Sequence, residues 1–189
     1  MKKVFIQVPA TSANCGPGFD TLGLACNLYN EVSYEITDRK GFQLEVEGEG
    51  ADYLKPFGRN LAFASFLRVW NAVTGGQRIG LKVKMLNRIP MSRGLGSSSS
   101  AIVAGLFAAN ALCDDYYTKD ELLGGGVIHC VLVRYSLWDS LTRKWRRQLA
   151  IGNNGDELQR LGRQQTQGMC LLLLHIADGK AAVQRRCQK

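Results

Sequence analysis

The stretch Pro90-Met91-Ser92-Arg93-Gly94-Leu95-Gly96-Ser97-Ser98-Ser99-Ser100 runs directly into the apolar-periodic segment Ala101 to Leu112. Glycines at 94 and 96 let the backbone come close to a ligand. The serines fall where a helix begins, so their hydroxyls stand beside main-chain N–H groups that have no partner inside the helix. A helix N-terminus also carries roughly half a positive charge. Together these features describe a cradle for a phosphate group. The plainer reading is a serine-capped helix after a glycine turn, and the segment alone leaves both open.

The flanking sequence favours the cradle. Upstream, Ile79, Leu81, Val83 and Met85 alternate with Gly80, Lys82 and Lys84, a half-buried strand that delivers the glycine loop at its end. Downstream, Ile102, Gly105, Leu106, Ala109 and Leu112 form one helical stripe, in which Gly105 costs about 1 kcal/mol relative to alanine unless a neighbour packs closely there. Strand, glycine loop and helix follow in the order that phosphate binding uses. Before them, Asn60 precedes Leu61, Phe63, Ala64, Leu67, Trp70 and Val73, an amphipathic helix capped by asparagine and ended by Gly75-Gly76.

At the start of the chain, Val4, Ile6 and Val8 alternate with Lys3, Phe5 and Gln7 as a strand ending at Pro9. Ala10 to Asp20 is dense in turn formers and reads as a loop without regular structure. Glu31 to Thr37 and Phe42 to Val46 alternate on either side of Asp38-Arg39-Lys40-Gly41, which predicts a hairpin. Glu45, Glu47 and Glu49 fall on its other face, with no basic partners nearby, as a solvated surface. A capping-box spacing joins Thr118 to Glu121, but Gly124-Gly125-Gly126 stops that helix almost at once.

The 189 residues are 46% hydrophobic, enough for a globular core, and no run of about 18 apolar residues is present to cross a bilayer. The N-terminus reaches Pro9 too early for a signal-peptide core, so a cytoplasmic location is expected. Six cysteines without a Cys-x-x-Cys pair, and two histidines outside any zinc spacing, read as reduced thiols with no metal site. The net charge of +8 suggests nucleic acid until it is divided along the chain. Residues 1–123 hold 13 Lys+Arg against 12 Asp+Glu, a balance of +1, and residues 124–189 hold 11 against 4, a balance of +7. All four prolines precede Met91, whereas two of three tryptophans follow Leu123. The basicity belongs to the tail and is read as an exposed basic surface; neither nucleic acid nor membrane is an expected partner.

Two motifs together resemble the GHMP kinase superfamily and, within it, the homoserine kinases. They are Val8-Pro9-Ala10-Thr11-Ser12-Ala13-Asn14-Cys15-Gly16-Pro17-Gly18-Phe19-Asp20 and the glycine loop, joined by Asn60-Leu61-Ala62. The resemblance covers about residues 2–123. It implies an α+β, two-layer N-terminal domain of the ribosomal-protein-like sandwich type, and ATP-dependent phosphorylation of L-homoserine in threonine biosynthesis. By the same resemblance, Asn14 and Asp20 contact the homoserine substrate, with Asp20 catalytic. The ATP side falls to Asn60, Pro90, Met91, Ser92, Arg93, Gly94, Leu95, Gly96, Ser97, Ser98, Ser99 and Ser100. Mg²⁺ accompanies ATP, Ser97 is the metal ligand the pattern offers, and a homodimer is compatible with it. The loop lacks the Gly-Lys-Ser/Thr ending of a Walker P-loop, so charge compensation must come from backbone donors, the helix end, Mg²⁺ and groups elsewhere.

Beyond Leu123 the resemblance stops within a helix. The family's magnesium-binding glutamate, its Glu-Gly-His-Pro-Asp-Asn motif and its C-terminal domain are not found. The expected division is therefore residues 1–123, an incomplete ATP-binding domain, and residues 124–189, a frameshifted or otherwise aberrant tail. Impaired turnover follows from that division, with a non-catalytic nucleotide-binding remnant as the first alternative function and a basic nucleic-acid-associated protein, resting on the tail charge alone, as the second.

Overall fold

The computed structural model describes residues 2–12, 23–54, 60–118, 121–122 and 186–188. Strand β1 spans Lys3–Ser12, β2 Leu24–Thr37 and β3 Gly41–Gly48; a short helix α1 spans Ala51–Leu54 and α2 Leu61–Thr74; β4 is Gly80–Asn87, α3 Ser97–Leu112 and β5 Arg186–Gln188. The sheet order is β3-β4-β2-β1-β5. Val4, Ile6 and Val8 of β1, Val32 and Tyr34 of β2, and Leu81, Val83 and Met85 of β4 bury one face of the sheet against α2 and α3. The alternate residues stay wetter, so the strands read with a period of two and the domain has two layers.

Three sequence expectations are corrected. β1 continues past Pro9 to Ser12, with its register against β2 shifting between Pro9 and Ala10. Proline, which has no N–H to give the ladder, is accommodated at that irregularity, and the strand carries on beyond it. The hairpin is absent: β3 does not pair with β2 but runs parallel to β4, which lies between them and pairs antiparallel with β2. The charges give a reason, because β2 and β3 both carry glutamates on the outer face and β4 carries lysines. Glu35 stands opposite Lys82 across one ladder and Glu45 opposite Lys84 across the other. Glu45 accordingly has the partners the local sequence did not show, Lys82 Nζ at 2.9 Å and Lys84 Nζ at 2.8 Å.

Hydrogen bonds from Lys84 and Lys82 hold the Glu45 carboxyl below the usual glutamate range. A depressed folded-state value gives stability that is present above the ordinary glutamate pKa and is lost as pH falls through the folded one. Glu45→Gln should therefore lower the urea midpoint slightly near neutrality, with the difference from wild type vanishing in acid and shrinking in salt. A difference that persisted unchanged at pH 2 would rule out the ion pair as its source.

Helix α2 begins and ends as its sequence predicts. Asn60 Oδ1 accepts from the Phe63 N–H at 3.0 Å, and Gly75 closes the helix in the left-handed region at φ 66. Tyr34 joins α2 to the sheet: its ring stacks on Phe66 and its hydroxyl donates to the Ala62 carbonyl at 3.3 Å. Complete burial drives its phenol pKa far above the ordinary range. Helix α3 is buried nearly all round, not along one stripe, from Ser99 to Asn110. Gly105 sits where α2 crosses: a Cβ there would come within 2.3 Å of the Ala62 carbonyl oxygen and 2.8 Å of the Phe66 nitrogen.

The capping box forms as expected, with Glu121 Oε2 accepting from the Thr118 N–H at 2.8 Å and the Glu121 N–H donating to Thr118 Oγ1 at 3.3 Å. Of the cysteines, Cys26 and Cys113 are free thiols among the described side chains. No helix among the described residues is long and apolar enough to cross a membrane. The expectation for residues 124–189 lies outside the described residues except at 186–188, whose backbone pairs antiparallel with Lys3 to Phe5.

Candidate functional site

The glycine loop follows β4 and ends on α3, as the alternation and the apolar run require. Gly94 and Gly96 adopt φ of 71 and 70, the left-handed region where a Cβ is penalised. Gly96 is the N-cap of α3 and, having no side chain, makes no capping bond; none of the four serines occupies the cap position. Ser97 is the first helical residue, and the first bond back to the cap is Ser100 N–H to Gly96 O at 2.8 Å. The serine-capped alternative is thus not what the chain adopts. The helix instead starts with its orphan N–H groups uncapped by the residue placed to do so. Ser98 is exposed, Ser97 half-buried, and Ser99 and Ser100 are buried.

Three segments hold this loop in place. At its entrance, Asn30 Oδ1 accepts from the N–H groups of Arg88 at 2.8 Å and Ile89 at 3.0 Å. At its exit, the Asn30 amide donates to Ser100 Oγ at 3.1 Å, and Ser100 Oγ donates to the Ser97 carbonyl at 2.9 Å. One buried amide on β2 therefore clasps both ends of the loop. At its middle, the Thr11 N–H of β1 donates to the Leu95 carbonyl at 3.0 Å. The Thr11 side chain fills the place of a Gly96 Cβ, with Oγ1 2.5 Å from it. Near its start, Met91 Sδ lies 2.2 Å from where a Gly50 Cβ would be, which brings Pro90-Met91 against α1.

Asn60 stands behind that wall. Besides capping α2, its amide donates to Met85 Sδ at 3.1 Å and to the Leu54 carbonyl at 3.4 Å, and the residue is buried. Its side chain thus ties α1, α2 and β4 together. Pro90 and Leu95 are half-buried, whereas Ser92, Arg93 and Gly94 are exposed. Asn14 and Asp20 lie outside the described residues. The strand leading to them ends at Ser12, against the glycine loop through Thr11, although the two motifs are far apart in sequence.

Sequence reasoning missed Asn30 and gave Thr11 no role of its own. The signal for Asn30 was an asparagine within the β2 run, where such residues are depleted and a buried one needs several partners. Among the described residues no group of three His, Cys, Asp or Glu side chains gathers to hold a metal ion. An ion at this loop would rely on phosphate oxygens and the Ser97 hydroxyl, which suits Mg²⁺, a cation that binds through few protein ligands.

Comparison with known proteins places the geometry. Residues 60–127 match the family described as GHMP kinases N terminal domain. Homoserine kinase of Natranaerobius thermophilus is 43% identical over 123 residues, 64% of this chain and 40% of that protein. Homoserine kinase of Corynebacterium diphtheriae is 51% identical over 111 residues, 59% of this chain and 35% of that protein. The chain spans about two fifths of the length of these relatives. Among solved structures, homoserine kinase from Cytophaga hutchinsonii superposes with a TM-score of 0.57 at 32% identity, covering 66% of this chain and 39% of that one. Methanococcus jannaschii mevalonate kinase shares the fold, with a TM-score of 0.54 at 16% identity over 68% of this chain and 45% of that one. The uncapped start of α3 behind the glycine loop thus lies within residues that match the GHMP kinases N terminal domain family, and the N-terminal part of the chain is homologous to the corresponding part of homoserine kinases.

Proposed function

We propose that the protein works as an ATP-dependent homoserine kinase, moving the terminal phosphoryl group of ATP to the side-chain hydroxyl of L-homoserine to give O-phospho-L-homoserine in threonine biosynthesis. The observation that carries the reading is the start of α3, capped by Gly96 in place of a hydrogen-bonding side chain and held by Thr11 to the strand that leads into Asn14 and Asp20. The N–H groups at Ser97, Ser98 and Ser99 bind phosphate oxygens, while Gly94, Leu95 and Gly96 let the backbone wrap them. Pro90, Met91, Ser92 and Arg93 form the loop's outer arm. Asn60 acts on the adenine side by fixing the wall, its own amide being engaged. Asp20 orients the acceptor hydroxyl, and Asn14 both donates to and accepts from the substrate. Mg²⁺, when bound, neutralises phosphate charge, and Ser97 is the side chain placed to meet it.

Nucleotide binding is the part of this activity that the chain's described residues can be asked to perform, so it is what the test reads. Mg·ATP should raise the melting temperature of the full chain, by an amount equivalent to about 2.7 kcal/mol at a hundredfold excess over Kd. In Gly96→Val that shift should disappear, because a side chain at φ 70 meets Thr11 and pushes the loop off the phosphates. Gly75→Val, outside the loop, equally left-handed at φ 66 and with open space for its Cβ, separates general strain from loss of the site. An undiminished ATP shift in Gly96→Val would show that the nucleotide binds elsewhere.

A further inference from the structure

Thr11 is fully buried, yet its hydroxyl has no hydrogen-bond partner, one of two such buried side-chain atoms among the described residues. Folded chains rarely keep a buried hydroxyl unpaired, because the group loses water and gains nothing in exchange. A valine would fit the same strand position with a methyl in place of the oxygen, and β1 favours β-branched residues. The hydroxyl is also aimed at one place: Oγ1 is the atom nearest the missing Cβ of Gly96, the N-cap of α3. Two independent observations therefore meet at one point, an uncapped N-terminus on a 16-residue helix and an unpaired donor directly beside its cap.

We infer that Thr11 is a phosphate-binding residue, its hydroxyl donating to an anionic oxygen seated on the N-terminus of α3. The oxygen reaches it through the notch that glycine at 96 leaves, and a charged acceptor makes the bond stronger than a neutral one. The same residue already fixes the loop by its main chain, through the bond to Leu95. Thr11 thus serves the site twice, with the N–H setting the loop's position and the hydroxyl completing the cradle. The inference rests on the reading of this loop as a nucleotide site.

The test compares wild type, Thr11→Ser and Thr11→Val as full chains, with Mg·ATP and inorganic tripolyphosphate as probes. Without probe, Thr11→Val should melt at or above the wild-type temperature, since it removes an unpaired hydroxyl. Its affinity for both probes should fall about ten- to a hundredfold, the loss expected for one hydrogen bond to a charged group. Thr11→Ser, which keeps the oxygen, should retain most of the affinity. The opposite signs matter, because a purely structural role would lower stability and affinity together. Wild-type affinity in Thr11→Val, or a lower melting temperature for it without probe, overturns the inference while leaving the nucleotide site in place. A wild-type chain that responds to neither probe overturns the nucleotide reading itself.

Discussion

Asn30→Ala is expected to lower unfolding stability by about 2–5 kcal/mol, read as a fall in the urea midpoint at unchanged slope. The residue is buried, and truncation strips the Arg88 and Ile89 N–H groups of their acceptor and Ser100 Oγ of its donor in one step. Ile89 is fully buried, so water cannot replace the lost partner there. Each orphaned buried donor costs about 1–3 kcal/mol. Asn30→Asp keeps the acceptor and loses the donor, and it places a carboxylate beside the loop, so it should weaken anion binding more than its effect on stability suggests. A loss below 1 kcal/mol in Asn30→Ala would mean that the loop is held by other means.

Gly105→Leu should be still more damaging, at several kcal/mol, and Gly105→Ala should cost about 1–3 kcal/mol although alanine is the better helix former. The new Cβ meets main-chain atoms of α2, the Ala62 oxygen and the Phe66 nitrogen, and backbone cannot swing aside as a side chain can. Ser65 adds to the crowding at 2.8 Å and keeps its hydroxyl out of the seam by donating to the Leu61 carbonyl. Thermal unfolding of the two variants against wild type decides the point. If Gly105→Ala melted higher, helix propensity would have won and the two helices would not be as close as they stand.

The same glycine shows what the sequence could and could not tell. That a neighbour had to pack on Gly105 was readable from its cost; that the neighbour was the backbone of α2 was not, since the contact joins residues some forty apart. Local signals were legible: the Asn60 cap, the Gly75 stop, the Thr118–Glu121 box and the strand-loop-helix order around Gly94 and Gly96 each depend on neighbours within a few residues. Strand pairing was not, because Asp38 to Gly41 is turn-like whether it closes a hairpin or opens a crossover. Only the lysines of β4, some forty residues beyond, decide between the two. At the site, the glycine loop announced itself by composition, whereas Asn30 works through partners at positions 88, 89 and 100 and leaves no mark nearby.

The central place of β4 bears on how the chain acquires its shape during synthesis. When the first 48 residues have emerged from a ribosome, β2 and β3 are both present without their common neighbour, for the strand that belongs between them has not yet been made. The nascent chain must hold two glutamate-bearing segments apart until residue 87 is free, and closing such long loops before any contact rewards them slows folding. Their mutual repulsion then acts as a safeguard, discouraging the premature hairpin that the turn sequence invites. The clasp of Asn30 on residues 88, 89 and 100 comes later still, so the glycine loop is among the last parts of the domain to be fixed.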